Sequence, residues 1–77
     1  MYEYKYLNKG ASFSTPEAAR AFVAAISVCP YVKDVESEYK RNKFGIVSVW
    51  FMMEADADAN KGAELSALVP AIENMFN

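Results

Sequence analysis

The chain contains no histidine and only one cysteine, Cys29. Without histidine it loses the commonest zinc and transition-metal ligand. It also loses the only side chain whose unperturbed pKa lies near neutrality. One thiol excludes an intrachain disulfide. The neighbours of Cys29, Val28 and Pro30, carry no charge that would make it a thiolate, so it reads as a small buried hydrophobe rather than a nucleophile. Glycine is scarce, and no Gly-rich phosphate loop, Walker pattern or nucleophile elbow occurs. Long apolar runs are missing too. The stretch from Phe44 to Met53 falls well short of the ~20 residues that cross a bilayer. Met1 to Tyr6 lacks the apolar centre of a signal peptide. A lone free thiol and no leader predict a cytoplasmic protein.

Charge of either sign is limited, with a net value of −2. That is too little to draw the chain to nucleic acid or to an anionic membrane. Lys40, Arg41 and Lys43 do cluster, but beside an acidic segment and without the aromatic motif of an RNA-binding sheet. They read as a solubilising turn. The segment Asp56-Ala57-Asp58-Ala59-Asn60 copies the opening of a calcium loop. Lys61 then stands where glycine is needed, and Ala67 where a bidentate glutamate is needed, so no calcium site is expected. Asp34, Glu36 and Glu38 alternate along one strand face, which suits solvation better than a shared proton. These shortages together predict a protein that is not an enzyme and holds no metal or cofactor.

Hydrophobic residues make up 53% of the chain, which excludes a disordered segment. The 77 residues suffice for one domain, residues 1–77, with a marginal core. A domain this small usually gains a staple from disulfides, a metal or a partner chain. With the first two absent, a partner chain is expected.

Alternation of Tyr2, Tyr4 and Tyr6 with Glu3 and Lys5 predicts a first strand, closed by Asn8-Lys9-Gly10. Thr15-Pro16-Glu17 is a helix start, with Ala19, Phe22, Val23 and Ile26 on one face and Pro30 as the stop. Past Glu17 and Arg20, the outer face of this helix shows Ala21, Ala24, Ala25 and Val28 and no further charge. Residues 31–40 and 44–53 predict two strands joined by a polar turn. Residues 54–62 read as an acidic loop. Leu65, Leu68, Val69, Ile72 and Phe76 then recur at helical spacing, with Pro70 expected to kink or split the run.

The resulting order is β-α-β-β-α, an α+β fold with two helices on one face of a three-stranded sheet. It resembles the split βαβ unit of ferredoxin-like folds with the last strand missing, a resemblance of topology alone. A right-handed crossover predicts the spatial order 1-3-2, with the first strand parallel to the third and the most apolar strand central.

Pairing Tyr39 with Phe44 in the hairpin predicts two sheet faces. Val35, Tyr39, Phe44, Ile46 and Trp50, with Lys33 toward the end, would form the core face. Val47, Val49 and Phe51, rimmed by Asp34, Glu36 and Glu38, would form an exposed apolar stripe. The edge of the first strand, with Tyr2, Tyr4 and Tyr6, would stay free to pair. The stripe and this edge are the expected surfaces for a homodimer or for a protein partner. The expected function is therefore steric: a small regulator or inhibitor, of the kind phages and mobile elements encode. The alternative is an oligomer that encloses a small ligand such as a nucleotide between aromatic platforms.

Overall fold

The computed structural model describes residues 5–76. Its elements are β1 (Tyr6–Phe13), α1 (Pro16–Ser27), β2 (Val32–Glu36), β3 (Val47–Glu54) and α2 (Ala55–Met75). The fold is α+β, with a three-stranded sheet in the order β1-β3-β2. The expected order is met, but one strand direction is not. β3 runs antiparallel to both neighbours, so β1 is antiparallel to β3 and parallel to β2. The reason is geometric. α1 has twelve residues and carries the chain back about 18 Å, so β2 restarts at the end where β1 began. The loop after β2 then reverses the chain once more.

α1 starts as its sequence requires. Thr15 is extended, and its Oγ1 accepts a hydrogen bond from the Ala18 amide at 3.1 Å. Pro16 takes the first helical position, where a missing N–H costs nothing. Ala18, Ala19, Phe22 and Ile26 are buried, a 3.6-period stripe against the sheet. The Phe22 ring packs between Phe13 and Phe51, at 5.2 and 5.9 Å between centroids.

The core face of the sheet is the reverse of the one expected. Val47, Val49, Phe51 and Met53 are buried beneath the helices, while Trp50 and Phe44 are exposed. The cause is a bulge in β2. Lys33 stands opposite Met52 and Glu36 opposite Trp50, so Asp34 and Val35 together face Phe51. Asp34 absorbs the extra residue with a φ of 53°, in the left-handed region that Asp tolerates. Before the bulge the expected alternation holds. After it every side chain changes face. Val35 and Tyr39 join the core side, which makes the Val47 face the more apolar one, and Glu36 moves beside Trp50.

Two further expectations change. β1 begins at Tyr6, where the expected strand ended, and Asn8, Lys9 and Gly10 lie inside it rather than closing it. Lys9 is tolerated because it turns toward α2 and meets Asp58 at 2.7 Å. Gly10 is tolerated because Trp50 covers it. The acidic stretch after Glu54 is no loop but the opening of a 21-residue helix that continues through Pro70. Its alanines are strong helix formers, and Asp56 and Asp58 sit in the first turn, where the helix dipole favours negative charge. Gly62 is buried, and a Cβ there would come 2.5 Å from Asp58 Oδ1. Its hydrogen leaves room for the carboxylate that holds Lys9.

Ser14 ties three segments together. Its amide and hydroxyl donate to the two carboxylate oxygens of Glu73 near the end of α2, at 2.9 and 2.8 Å. Its carbonyl accepts from Arg41 Nε at 3.0 Å. The β2–β3 loop is thereby drawn against the start of α1, where Arg20 also lies over the Tyr39 ring.

Candidate functional site

Both helices cover the Val47 side of the sheet, and among the described residues no element covers the other side. Alternation along the strands assigns that open face to Tyr6, Asn8, Gly10 and Ser12 of β1, to Ser48, Trp50 and Met52 of β3, and to Lys33 and Glu36 of β2. Trp50 stands at its centre and is 59% exposed. Ile46 and Phe44, at the mouth of the loop, are also exposed.

The loop from Ser37 to Ile46 builds one wall of a cleft. Its first end is held by Ser37, whose hydroxyl donates to the Ser48 carbonyl at 2.8 Å and accepts from the Tyr39 amide at 3.1 Å. Tyr39 adopts a φ of 56° to make that turn. At the far end, Asn42 Oδ1 accepts from the amides of Phe44 and Ile46, at 2.8 and 3.1 Å. Gly45 supplies the φ of 76° that closes this tight turn. The loop is thus fastened by side-chain to backbone bonds and, at its far end, by backbone bonds from the Asn42 amide to the Ile46 carbonyl and from the Gly45 amide to the Asn42 carbonyl, at 2.9 and 3.0 Å.

Between the loop and β3 lies a cleft of about 660 Å³, lined by Glu36, Glu38, Lys40, Ile46, Ser48 and Trp50 among others. A second hollow of about 540 Å³ lies on the same face between Asn8, Asp34 and Met52, and it shares Glu36 and Trp50 with the first. The indole and the Glu36 carboxylate therefore border both hollows. Beyond them, Lys33 Nζ lies 3.9 Å from the centre of the Tyr6 ring and bridges the outer strands above Met52. The face offers one large aromatic platform, aliphatic flanks and carboxylates close by. That combination suits an apolar segment carrying a cation.

The expected site residues are only partly brought together. Glu36 and Glu38 line the cleft beside Trp50, and Asp34 lies exposed at the bulge. Tyr6 is half-buried on the open face, whereas Tyr2 and Tyr4 lie outside the described residues. Val47, Val49 and Phe51 do not form an exposed stripe, because they belong to the core. The exposed apolar groups that replace them, Trp50, Ile46 and Phe44, had been assigned to the core by the expected register. The pairing of Gly10 with Trp50, which gives the indole its place over the strand, is visible only once the β1–β3 register is known.

Away from this face, Cys29 is half-buried, with its Sγ 3.8 Å from the Ala25 carbonyl. The Tyr31 pKa is raised above its ordinary value, first by its interaction with the Cys29 side chain, then by burial and by the nearby Glu64 carboxylate. Among the described residues no three His, Cys, Asp or Glu side chains gather as metal ligands. Nor is any described helix long and apolar enough to cross a membrane. Comparison with known protein families, curated proteins and solved structures gave no match to this chain.

Proposed function

We propose that this chain is a non-enzymatic binding protein that acts as a regulator or inhibitor by direct protein–protein contact through the open face of its sheet. The supporting observation is the exposed indole of Trp50, set between two hollows and beside the carboxylates of Glu36 and Glu38. Tryptophan is among the residues that most often dominate binding energy at protein interfaces. The carboxylates select the partner: a segment with an aliphatic side chain for the Ile46 flank and an arginine or lysine for Glu36 and Glu38. Such contact blocks whatever else the partner segment would bind, and it requires no chemistry from the chain.

Trp50 is the only tryptophan, so its fluorescence reports on this face alone. Titration with amphipathic peptides that place arginine beside leucine or isoleucine is expected to shift its emission. The affinity should fall with added salt and with the double substitution Glu36→Gln, Glu38→Gln. Peptides with glutamate in place of arginine should leave the emission unchanged. No response to either peptide set, or an equal response to both, would overturn the proposal.

A further inference from the structure

We propose that the outer edge of β1 is the seam of a symmetric homodimer. Two β1 strands pair antiparallel about a two-fold axis at Gly10, and the two Trp50 indoles meet above the seam. This goes beyond the partner-binding face, since it concerns the edge of the sheet and a second copy of the same chain.

The hydrogen-bonding phase of β1 supports the pairing. The Ala55 amide donates to the Lys5 carbonyl at 2.8 Å, and Tyr6 stands opposite Glu54. In an antiparallel ladder, bonded and non-bonded pairs alternate. Leu7, Lys9, Ala11 and Phe13 therefore direct their N–H and C=O toward β3. Tyr6, Asn8, Gly10 and Ser12 direct theirs outward. The Glu54 amide confirms the phase from the other side, because it donates to Tyr31 of the opposite neighbour at 2.9 Å. Among the described residues nothing accepts from or donates to the outward groups of β1. An eight-residue edge of this kind is a ready template for another strand.

The sequence of β1 selects a second copy and one register. Only residues of the outward set can form bonded pairs across the seam. Centring on Gly10 sets Asn8 opposite Ser12 of the second copy on the open face. It sets Leu7 opposite Phe13, and Lys9 opposite Ala11, on the helix side. Centring on Asn8 would pair only Tyr6 to Gly10 and leave the rest of the strand unmatched. A shift that centres on Lys9 would set two lysines directly opposite each other. In the favoured register each Lys9 already has its Asp58 and faces an alanine.

Trp50 provides the second observation. Its ring leans across Gly10 toward the edge: a Cβ on Gly10 would lie 2.5 Å from Cζ3 and 2.9 Å from Cε3. Adjacent strands lie ~4.8 Å apart. Two Gly10 residues paired at the axis bring the two overlying indoles to about that separation, within the ~4.5–7 Å range of favourable aromatic pairs. The opposite side of each ring still faces its own cleft. Glycine at position 10 is then required twice, once to admit its own indole and once to let the two rings meet.

Hydrogen exchange tests the seam without altering the chain. In concentrated protein the amides of Tyr6, Asn8, Gly10 and Ser12 should be protected, and they should become fast-exchanging on dilution. Those of Leu7, Lys9, Ala11 and Phe13 should stay protected at both concentrations. Light scattering should give twice the chain mass in the concentrated sample. Far-ultraviolet circular dichroism should show an indole exciton couplet that fades in parallel. Asn8→Pro removes an outward N–H, so it should give a folded monomer without the couplet. A monomer at every concentration, or fast exchange of the outward amides within a dimer, would overturn the proposal. Retention of the dimer by folded Asn8→Pro would do the same.

Discussion

The sheet ends in two edges of opposite character. At β2 the chain is bulged, Asp34 is turned through a positive φ, and Lys33, Asp34 and Glu36 are exposed along a five-residue strand. A short, bent, charged edge cannot accept a neighbour. At β1 the strand is eight residues long and pairs with β3 in unbroken register. Its one charge inside the strand, Lys9, is turned away to Asp58. Small domains must keep both edges from indiscriminate pairing. Here only one edge carries the usual protections, and that asymmetry is what assigns a role to the other.

The strongest way to break this contrast is to delete Val35. Asp34 then stands alone opposite Phe51 and turns toward the core, while Glu36 stays opposite Trp50. Turning that carboxylate inward should cost on the order of 5 kcal/mol or more. A domain of this size has little beyond that to lose. The Val35 deletion is expected to show no cooperative transition in urea, whereas deletion of Asp34, which leaves Val35 opposite Phe51, should still fold.

Proline substitution within β1 should separate its two sets of amides. Ala11→Pro removes an N–H directed at β3 and should destabilise by about 3 kcal/mol. Ser12→Pro removes one directed outward and should cost under about 1 kcal/mol in the monomer. Equal losses in denaturant titrations would refute the assigned phase. Gly10→Val should cost about 1–3 kcal/mol, because the indole must move off the strand. Its emission should shift as it does so.

Smaller effects sharpen the contrast. Asp58→Ala should cost about 0.5–1 kcal/mol, as expected of a partly exposed ion pair. It should also weaken the dimer, since Lys9 would then reach the seam uncompensated. At the foot of the guarded edge, the folded chain holds the Tyr31 proton to higher pH than the unfolded chain does. The stability this brings is complete below pH about 10 and is lost as pH rises through the folded pKa. Alkaline denaturation should therefore be steeper for the native chain than for Tyr31→Phe. Identical slopes would show that the Cys29 contact carries no weight.

Much of the fold was legible because it rests on local chemistry. Thr15, Pro16 and Glu17 specify a helix start that needs no tertiary help. The unbroken apolar character of Val47 to Met53 marks a central strand. The face assignment was not legible, because it rests on counting. A bulge at Asp34 has no compulsory residue type, and one uncounted residue exchanges the two faces beyond it. The start of α2 was misread for a related reason. Gly62 looks like a helix breaker in isolation, yet its missing side chain is what admits Asp58 over Lys9. The candidate site inherited the error of face. Its carboxylates, Glu36 and Glu38, were found, while its aromatic centre, Trp50, was assigned to the interior.

The bulge in β2 behaves like a reading frame. The alternation of a strand has only two phases, so chain length, not residue chemistry, decides which phase follows. Between Lys33 and Trp50 two kinds of change therefore have very different consequences. Exchanging one residue for another alters a single position. Adding or removing one within β2 reassigns every position up to the loop unless the bulge takes up the change, as it does when one of the two residues opposite Phe51 is lost. The loop from Lys40 to Gly45 has no alternation to keep, but from Arg41 onward its bonds to Ser14 and from Asn42 to Phe44 and Ile46 set its length. A change in chain length should be tolerated best at Lys40, ahead of those bonds.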